Sequence, residues 1–316
     1  MKKPSSAHGR AILAAVVGYA IGGLTFLVTK IALNAADQTL GGQSAAVLLL
    51  AVRFLAAAVG MLILYAFRRP KKSRQPRSRR GCAALAVATV LALVYYFVET
   101  ASVEQTTSSL TGAVLAVIPV FSIFPGWWLL HEKPSLPQLL TALVPIAGVL
   151  MLTVAGRKMG ILTWIGLLLL LITCTTSAFY KVFNRFSSTE FSPFERSLAA
   201  CVLQAVVFTV LALVQYDFQT QIVPLLTNMR FLLPALATAF CSTILAEILV
   251  NYAAAKMTVM ECASYGAVTT IVSAVGGALL LHEPMTLWSW IGAALATGGV
   301  WLLTRQFGKD SSVQLQ

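Results

Sequence analysis

Along this chain the apolar positions neither alternate with polar ones nor recur on one helical face. They run on for about twenty residues, halt at charge, proline or glycine, and begin again. Ten such stretches occupy roughly residues 11–33, 44–67, 81–101, 109–130, 137–154, 161–183, 194–215, 231–253, 260–281 and 286–304. About 20 apolar helical residues cross a hydrocarbon core of about 30 Å. In lipid a segment must satisfy its own backbone hydrogen bonds, which leaves helices as the spanning form. The pattern therefore predicts an all-α integral membrane protein with ten transmembrane helices. The fifth and tenth stretches are short and follow their predecessors across Glu132-Lys133-Pro134 and Glu283-Pro284, turns that allow only tight antiparallel hairpins. Lys2, Lys3 and Arg10 before an apolar run resemble a secretory signal, but the run from Ala11 to Leu33 exceeds an h-region of about 7–15 residues. It is expected to be a retained span.

Composition agrees. Hydrophobic residues make up 58% of the 316, charged residues 11%, and the mean hydropathy is +0.81. A soluble domain carries about a quarter of its residues charged. The net charge of +12 does not point to nucleic acid. Eight of the 23 basic residues (Arg68, Arg69, Lys71, Lys72, Arg74, Arg77, Arg79, Arg80) form one run between two apolar segments, without aromatic residues to stack on bases. That run reads as a cytoplasmic loop with some affinity for anionic membrane lipids. Alternation from it puts 18 basic residues inside and 4 outside, with Arg53 inside a span, and makes both termini cytoplasmic in a multi-pass cell (inner or plasma) membrane protein. The five cysteines (Cys82, Cys174, Cys201, Cys241, Cys262) form no CxxC pair and are expected to be packing residues.

Shifting the chain against itself by 151 positions aligns its halves without a gap. Lys30 falls on Lys181, Leu-Leu-His131-Glu132 on Leu-Leu-His282-Glu283, Gly148-Val149 on Gly299-Val300, and Ser122 on Ser273. Each half, 11–154 and 161–304, holds five spans. An odd number forces the second copy into the bilayer upside down, so the expected architecture is two inverted five-helix repeats. Many secondary transporters use that symmetry to expose one midplane site to each face in turn.

The segments GGLTFLVTK (22–30), Arg53-Phe54-Leu55-Ala56-Ala57, LTGAVLAVIPVFSIFPGWWLLHEKP (110–134) and IGAALATGGVWLL (291–303) resemble, in order and spacing, the EamA-type members of the drug/metabolite transporter superfamily. Span one lacks the Trp-Gly often seen before the lysine, and span nine has Thr270 where span four has Pro119. The resemblance implies ten helices, a cavity lined mainly by spans 1, 3, 4, 6, 8 and 9, and export of amino acids or related metabolites.

Ionisable residues within spans cost about 2.5–3.5 kcal/mol at the bilayer centre on insertion scales, and so tend to carry function. Five stand out: Lys30, Arg53, Glu99, Lys181 and Glu247. Lys30, Glu99 and Lys181 lie near helix ends, where snorkelling is the plain alternative; for Arg53 and Glu247 it is a structural ion pair. The functional expectation makes Lys30–Glu99 and Lys181–Glu247 gating pairs at the two mouths. Arg53 is the candidate for a substrate carboxylate, since its planar fork accepts two oxygens. Glu247 is the candidate for an amino group or for proton coupling. Tyr95, Tyr96, Asn251 and Tyr265, with Phe179 and Tyr180, are candidate cavity liners. Pro119, Pro125, Pro145 and Pro234 are expected to kink their helices. Gly18-x-x-x-Gly22, Gly276-Gly277 and Gly298-Gly299 suit close helix contacts.

No GxxxxGK[ST] loop is present for ATP, and no metal or other cofactor is expected. His8, His131, His282, Asp37, Asp217 and Asp310 all fall outside or at the ends of spans, which disfavours an intramembrane enzyme. A flippase for a lipid-linked intermediate shares the repeat and stands as the alternative. The main expectation is an alternating-access exporter of small metabolites; the sequence leaves coupling, by protons or by exchange, and homodimerisation open.

Overall fold

The computed structural model describes residues 6–68, 77–130, 134–160, 162–188, 190–254 and 265–313. Lys2, Lys3, residues 69–76 of the basic run, His131-Glu132-Lys133, Lys256 and Cys262 lie outside them, as do the side chains of His8, Arg68, Asn251, Arg305 and Lys309. Every described element is helical: α1 (Ser6–Leu40), α2 (Ala46–Arg68), α3 (Arg79–Gln105), α4 (Ser108–Leu115), α5 (Ile118–Phe121), α6 (Ile123–Leu130), α7 (Leu136–Lys158), α8 (Trp164–Ser187) and α9 (Pro193–Gln215), then a π-helical turn (Phe218–Ile222), α10 (Val223–Thr227), α11 (Met229–Ala237), a longer π-helical segment (Thr238–Ala246), α12 (Glu247–Ala254), α13 (Gly266–Leu280) and α14 (Leu287–Val313). Eight of the helical runs are long and apolar enough to cross a membrane. Gly266–Leu280 and Leu287–Leu302 are apolar but shorter, so the described residues give eight span-length helices where ten were expected. Large apolar side chains point away from the protein, among them Phe67, Val214, Leu143 and Trp164. A protein dissolved in lipid shows this surface, one dissolved in water does not.

Two compact units make up the chain. The first takes Met1–Leu27, Gln105–Leu170 and Leu245–Gln316, the second Val28–Glu104 and Leu171–Ile244. Each draws on both sequence halves. Within each unit small residues let helices approach closely, because between helices in lipid it is backbone approach that gains dispersion energy. In the first unit α7 crosses α14 where Gly148 faces Gly292, and Gly299 lies against Pro145. There too α4 packs on α13, with Gly112 against Ser273 and Gly277 against Ser109. In the second unit α2 lies along α9, and the buried rings of Phe54 and Phe208 stack at 5.9 Å.

Helix starts show where the acidic residues go. The first N–H groups of any helix lack intrahelical acceptors and attract negative charge. Glu195 caps its own helix in a capping box with Ser192, and Asp217 accepts from the amides of Gln219 and Thr220. Three more glutamates cap helices remote from them in sequence. Glu104 accepts from Ser44 Oγ and the Ala45 amide at the start of α2. Glu190 accepts from the Ser78 amide (2.7 Å) and hydroxyl (2.6 Å) before α3. Glu283 accepts from the Ser108 amide (2.7 Å) and hydroxyl (2.9 Å), the Ser109 amide (2.9 Å) and the Ser109 hydroxyl at the start of α4. His282 makes the last contact possible. It adopts φ 52°, a left-handed conformation that histidine enters more readily than most residues, and turns the chain so that the Glu283 amide bonds back to Gly277 O at 3.1 Å. The repeated His-Glu is thus, in its second copy, a turn-and-cap device.

These contacts also sort the loops. At one end of the second unit the Tyr216 hydroxyl donates to Ser44 O (2.6 Å), Gln221 donates to Gln43 (2.8 Å), and Glu104 caps α2. At the far end of α2, Arg77 pairs with Glu195 at 2.9 Å and Ser78 with Glu190. Segments assigned to one face by charge alternation therefore sit together, and 34–43 and 190–193 lie at opposite ends of α2.

Proline interrupts two spans. The fourth is broken into α4, α5 and α6, with Pro119 in the first turn of α5, and Pro125 lies within α6. Pro145 sits inside an unbroken α7. Pro234 lies inside α11, and from Thr238 the backbone ladder widens to the π register for nine residues. Wide turns of this kind are rare and gather at functional sites.

Candidate functional site

The second unit brings three of the candidate binding residues together. Arg53, two turns into α2, is 4% exposed. Its Nε–H donates to Thr243 Oγ1 at 2.9 Å and one Nη2–H to Ser242 Oγ at 3.2 Å, both on the π segment. Phe54 and Tyr96 present their rings to the guanidinium, 5.4 and 5.1 Å from its central carbon. Tyr96 meets Tyr95 edge-on at 4.9 Å, and Tyr95 stacks on Tyr180 at 6.5 Å. One turn along α3, Glu99 is 7% exposed and accepts the Tyr95 hydroxyl. The charge on Arg53 acts on Glu99 without direct contact. Among the described residues no carboxylate stands within ion-pair distance of Arg53.

The remaining candidates are placed as follows. Lys30 sends its ammonium to Val103 O (2.9 Å) and Glu104 O (3.1 Å), the last carbonyls of α3, where a cation suits the helix dipole. Lys181 is exposed on α8 next to Tyr180, with Cys174 two turns back inside its electrostatic reach. Glu247, Asn251 and Tyr265 belong to the first unit. Glu247 opens α12, half-buried and with contacts of its own. Asn251 lies on α12, its side chain outside the described residues. Tyr265 packs with Tyr19 on a cluster of Ala11, Ala14, Ala15 and Ala253. Glu99 differs from the capping glutamates because it lies in the body of α3, away from any helix start.

Outside the spans, three groups are shifted. Hydrogen bonds from Ser78 hold Glu190 below the usual carboxylate value, and those from Thr220 do the same for Asp217. Burial, with Glu104 nearby, pushes the Tyr216 phenol up to about 12. No group of three metal-ligating side chains occurs among the described residues.

Sequence reasoning passed over Ser242 and Thr243, because uncharged hydroxyls in an apolar run ordinarily bond to their own helix. The available signal was their adjacency, a short distance after Pro234.

Comparison with known proteins bears on the family and the fold. The EamA-like transporter family matches residues 9–154 and again residues 164–305. The "Uncharacterized transporter YcxC" of Bacillus subtilis (strain 168) is 25% identical over 294 residues, covering 92% of this chain and 91% of its own. A solved crystal structure, 16% identical, superposes with a TM-score of 0.64 over 96% of this chain and 99% of that one, which is a likeness of fold.

Proposed function

This chain belongs to the EamA-like transporter family, and from that premise we propose that it is a secondary-active exporter of small carboxylate-bearing metabolites, amino acids foremost. The proposal keeps the ten-span reading, with two inverted repeats at 11–154 and 161–304 and both termini in the cytoplasm of a cell membrane. Arg53 takes the substrate carboxylate, Tyr95 and Tyr96 line its site, and Glu247 is the candidate for coupling to protons.

One observation carries the reading. Arg53 is a permanent charge inside a span, held by hydroxyls and aromatic rings rather than by a carboxylate. A buried charge with no carboxylate in contact is costly, and a substrate carboxylate would supply that contact on each cycle. A merely structural arginine would be expected to hold an ion pair.

Counterflow in proteoliposomes tests it, using a panel of labelled amino acids with their decarboxylated amines as competitors. Charge-assisted hydrogen bonds contribute about 1.5–3 kcal/mol each. Arg53→Gln is therefore expected to weaken apparent affinity about 10- to 100-fold, and the amines should not compete. Full transport by Arg53→Gln, or equal competition by the amines, would refute the carboxylate role. Movement of labelled lipid without any soluble counterflow would favour a flippase.

A further inference from the structure

A guanidinium can bind a carboxylate along two edges: side-on, through Nε–H and the neighbouring Nη2–H, or end-on, through Nη1 and Nη2. In Arg53 the side-on edge is occupied. Thr243 takes Nε–H and Ser242 takes Nη2–H. The Nη1 hydrogens make no hydrogen bond among the described residues.

The occupation depends on the π register. More residues per turn bring adjacent side chains closer in direction than an α-helix does, so consecutive hydroxyls can both face one guanidinium. Thr243 shows the register in its own bonding: its hydroxyl donates to Thr238 O, five residues back, at 3.2 Å. With its hydrogen committed there, the oxygen can only accept from Arg53.

We propose that Ser242 and Thr243 are positioning residues that block the side edge of Arg53, so that the carrier takes its substrate anion end-on in one fixed orientation, which favours the flat two-oxygen carboxylate over the bulkier three-oxygen phosphonate. This deepens, and rests on, the carboxylate role of Arg53. With the side-on edge freed, the fork can rotate and accept other geometries.

The test measures half-saturation, maximal rate and selectivity in counterflow. The substrate is the amino acid most active in the labelled panel, and the competitor is its aminophosphonate analogue. Thr243→Val keeps the shape and removes the acceptor. It should raise half-saturation about 5- to 10-fold, leave maximal rate within about 2-fold, and narrow the carboxylate-to-phosphonate preference by a similar factor. Thr243→Ser should restore the preference, and Ser242→Ala should show the same change in smaller measure, which covers the case in which Thr243→Val fails to fold. If Arg53→Gln is impaired while Thr243→Val and Ser242→Ala keep the parental preference, the positioning role is overturned and the carboxylate reading stands. If Arg53→Gln is indifferent, both fall.

Discussion

Replacing Gly148 by valine drives a wedge into a close backbone-to-backbone seam of the first unit. A Cβ built on Gly148 falls nearest to Ala296 N, then 2.7 Å from Gly292 O and 2.9 Å from Ala296 Cα, while ordinary contact begins near 3.4 Å. All three neighbours are backbone atoms and cannot swing aside as a side chain would. Helices α7 and α14 must therefore part by about 1 Å before the γ carbons find any room. A radial gap of about 0.5–1 Å forfeits a quarter to a half of the dispersion well, and packing is what joins helices in lipid. Overpacking typically costs about 1–3 kcal/mol, and we expect the upper part of that range. At about 2–4 °C per kcal/mol for a sizeable domain, the midpoint in detergent should fall by roughly 5–10 °C. Gly298→Val is the internal control. It makes the same change on α14, next to Gly299, with nothing within 4 Å of its Cβ. Differential melting by size-exclusion or thiol-dye fluorescence reads both variants. Melting points within a degree of each other would show that the Gly148–Gly292 contact does not hold the unit, and the reasoning would fail.

Two other outcomes follow from the glutamate caps. Glu283→Ala strips the acceptor from both the amides and the hydroxyls of Ser108 and Ser109; losing a cap costs about 0.5–2 kcal/mol, so amide exchange at 108–111 should quicken roughly 2- to 30-fold, and unchanged exchange would refute the cap. Glu190 titrates below its ordinary value of 4.5 because Ser78 bonds its ionised form. With the folded value below the unfolded one, its contribution is complete above roughly pH 5 and is lost as the pH falls through the depressed value. Proteolysis near residue 78 should accordingly rise in acid, in the parent but not in Glu190→Gln, which starts out loosened; identical pH profiles would contradict the latch.

Much of this molecule could be read before folding it. Apolar run length gave the long helices, because lipid leaves a backbone no alternative, and the positive run sorted the loops into the two sets that the second unit gathers at opposite ends. Arg53 stood out because charge in a span is expensive. What escaped depends on separation along the chain. Glu190 and Ser78, or Glu283 and Ser108, are recognisable as cap partners only after folding brings them together. The carbonyls that Lys30 meets at the close of α3 are likewise partners that only the fold brings to it. Ser242 and Thr243 carry no charge, and their orientation depends on a π register that no hydrophobic pattern announces. Each compact unit draws on both repeats, as where Gly148 of the first half lies against Gly292 of the second, and no sequence pattern announces that pairing.

That cross-cutting has a bearing on biogenesis. The ribosome finishes α7 at Lys158 and reaches Leu287, where α14 begins, only about 130 residues later. At about 5–20 residues per second, the interval lasts roughly 6–26 s. Throughout it the glycine face of α7 rests in the bilayer with α14 still unmade, open to lipid, to an insertase or to another nascent chain. Membrane entry and assembly are thus separate events for this protein. A messenger that stops early would strand inserted helices whose mates were never translated, and supplying those mates as a second polypeptide is the natural route to rescue.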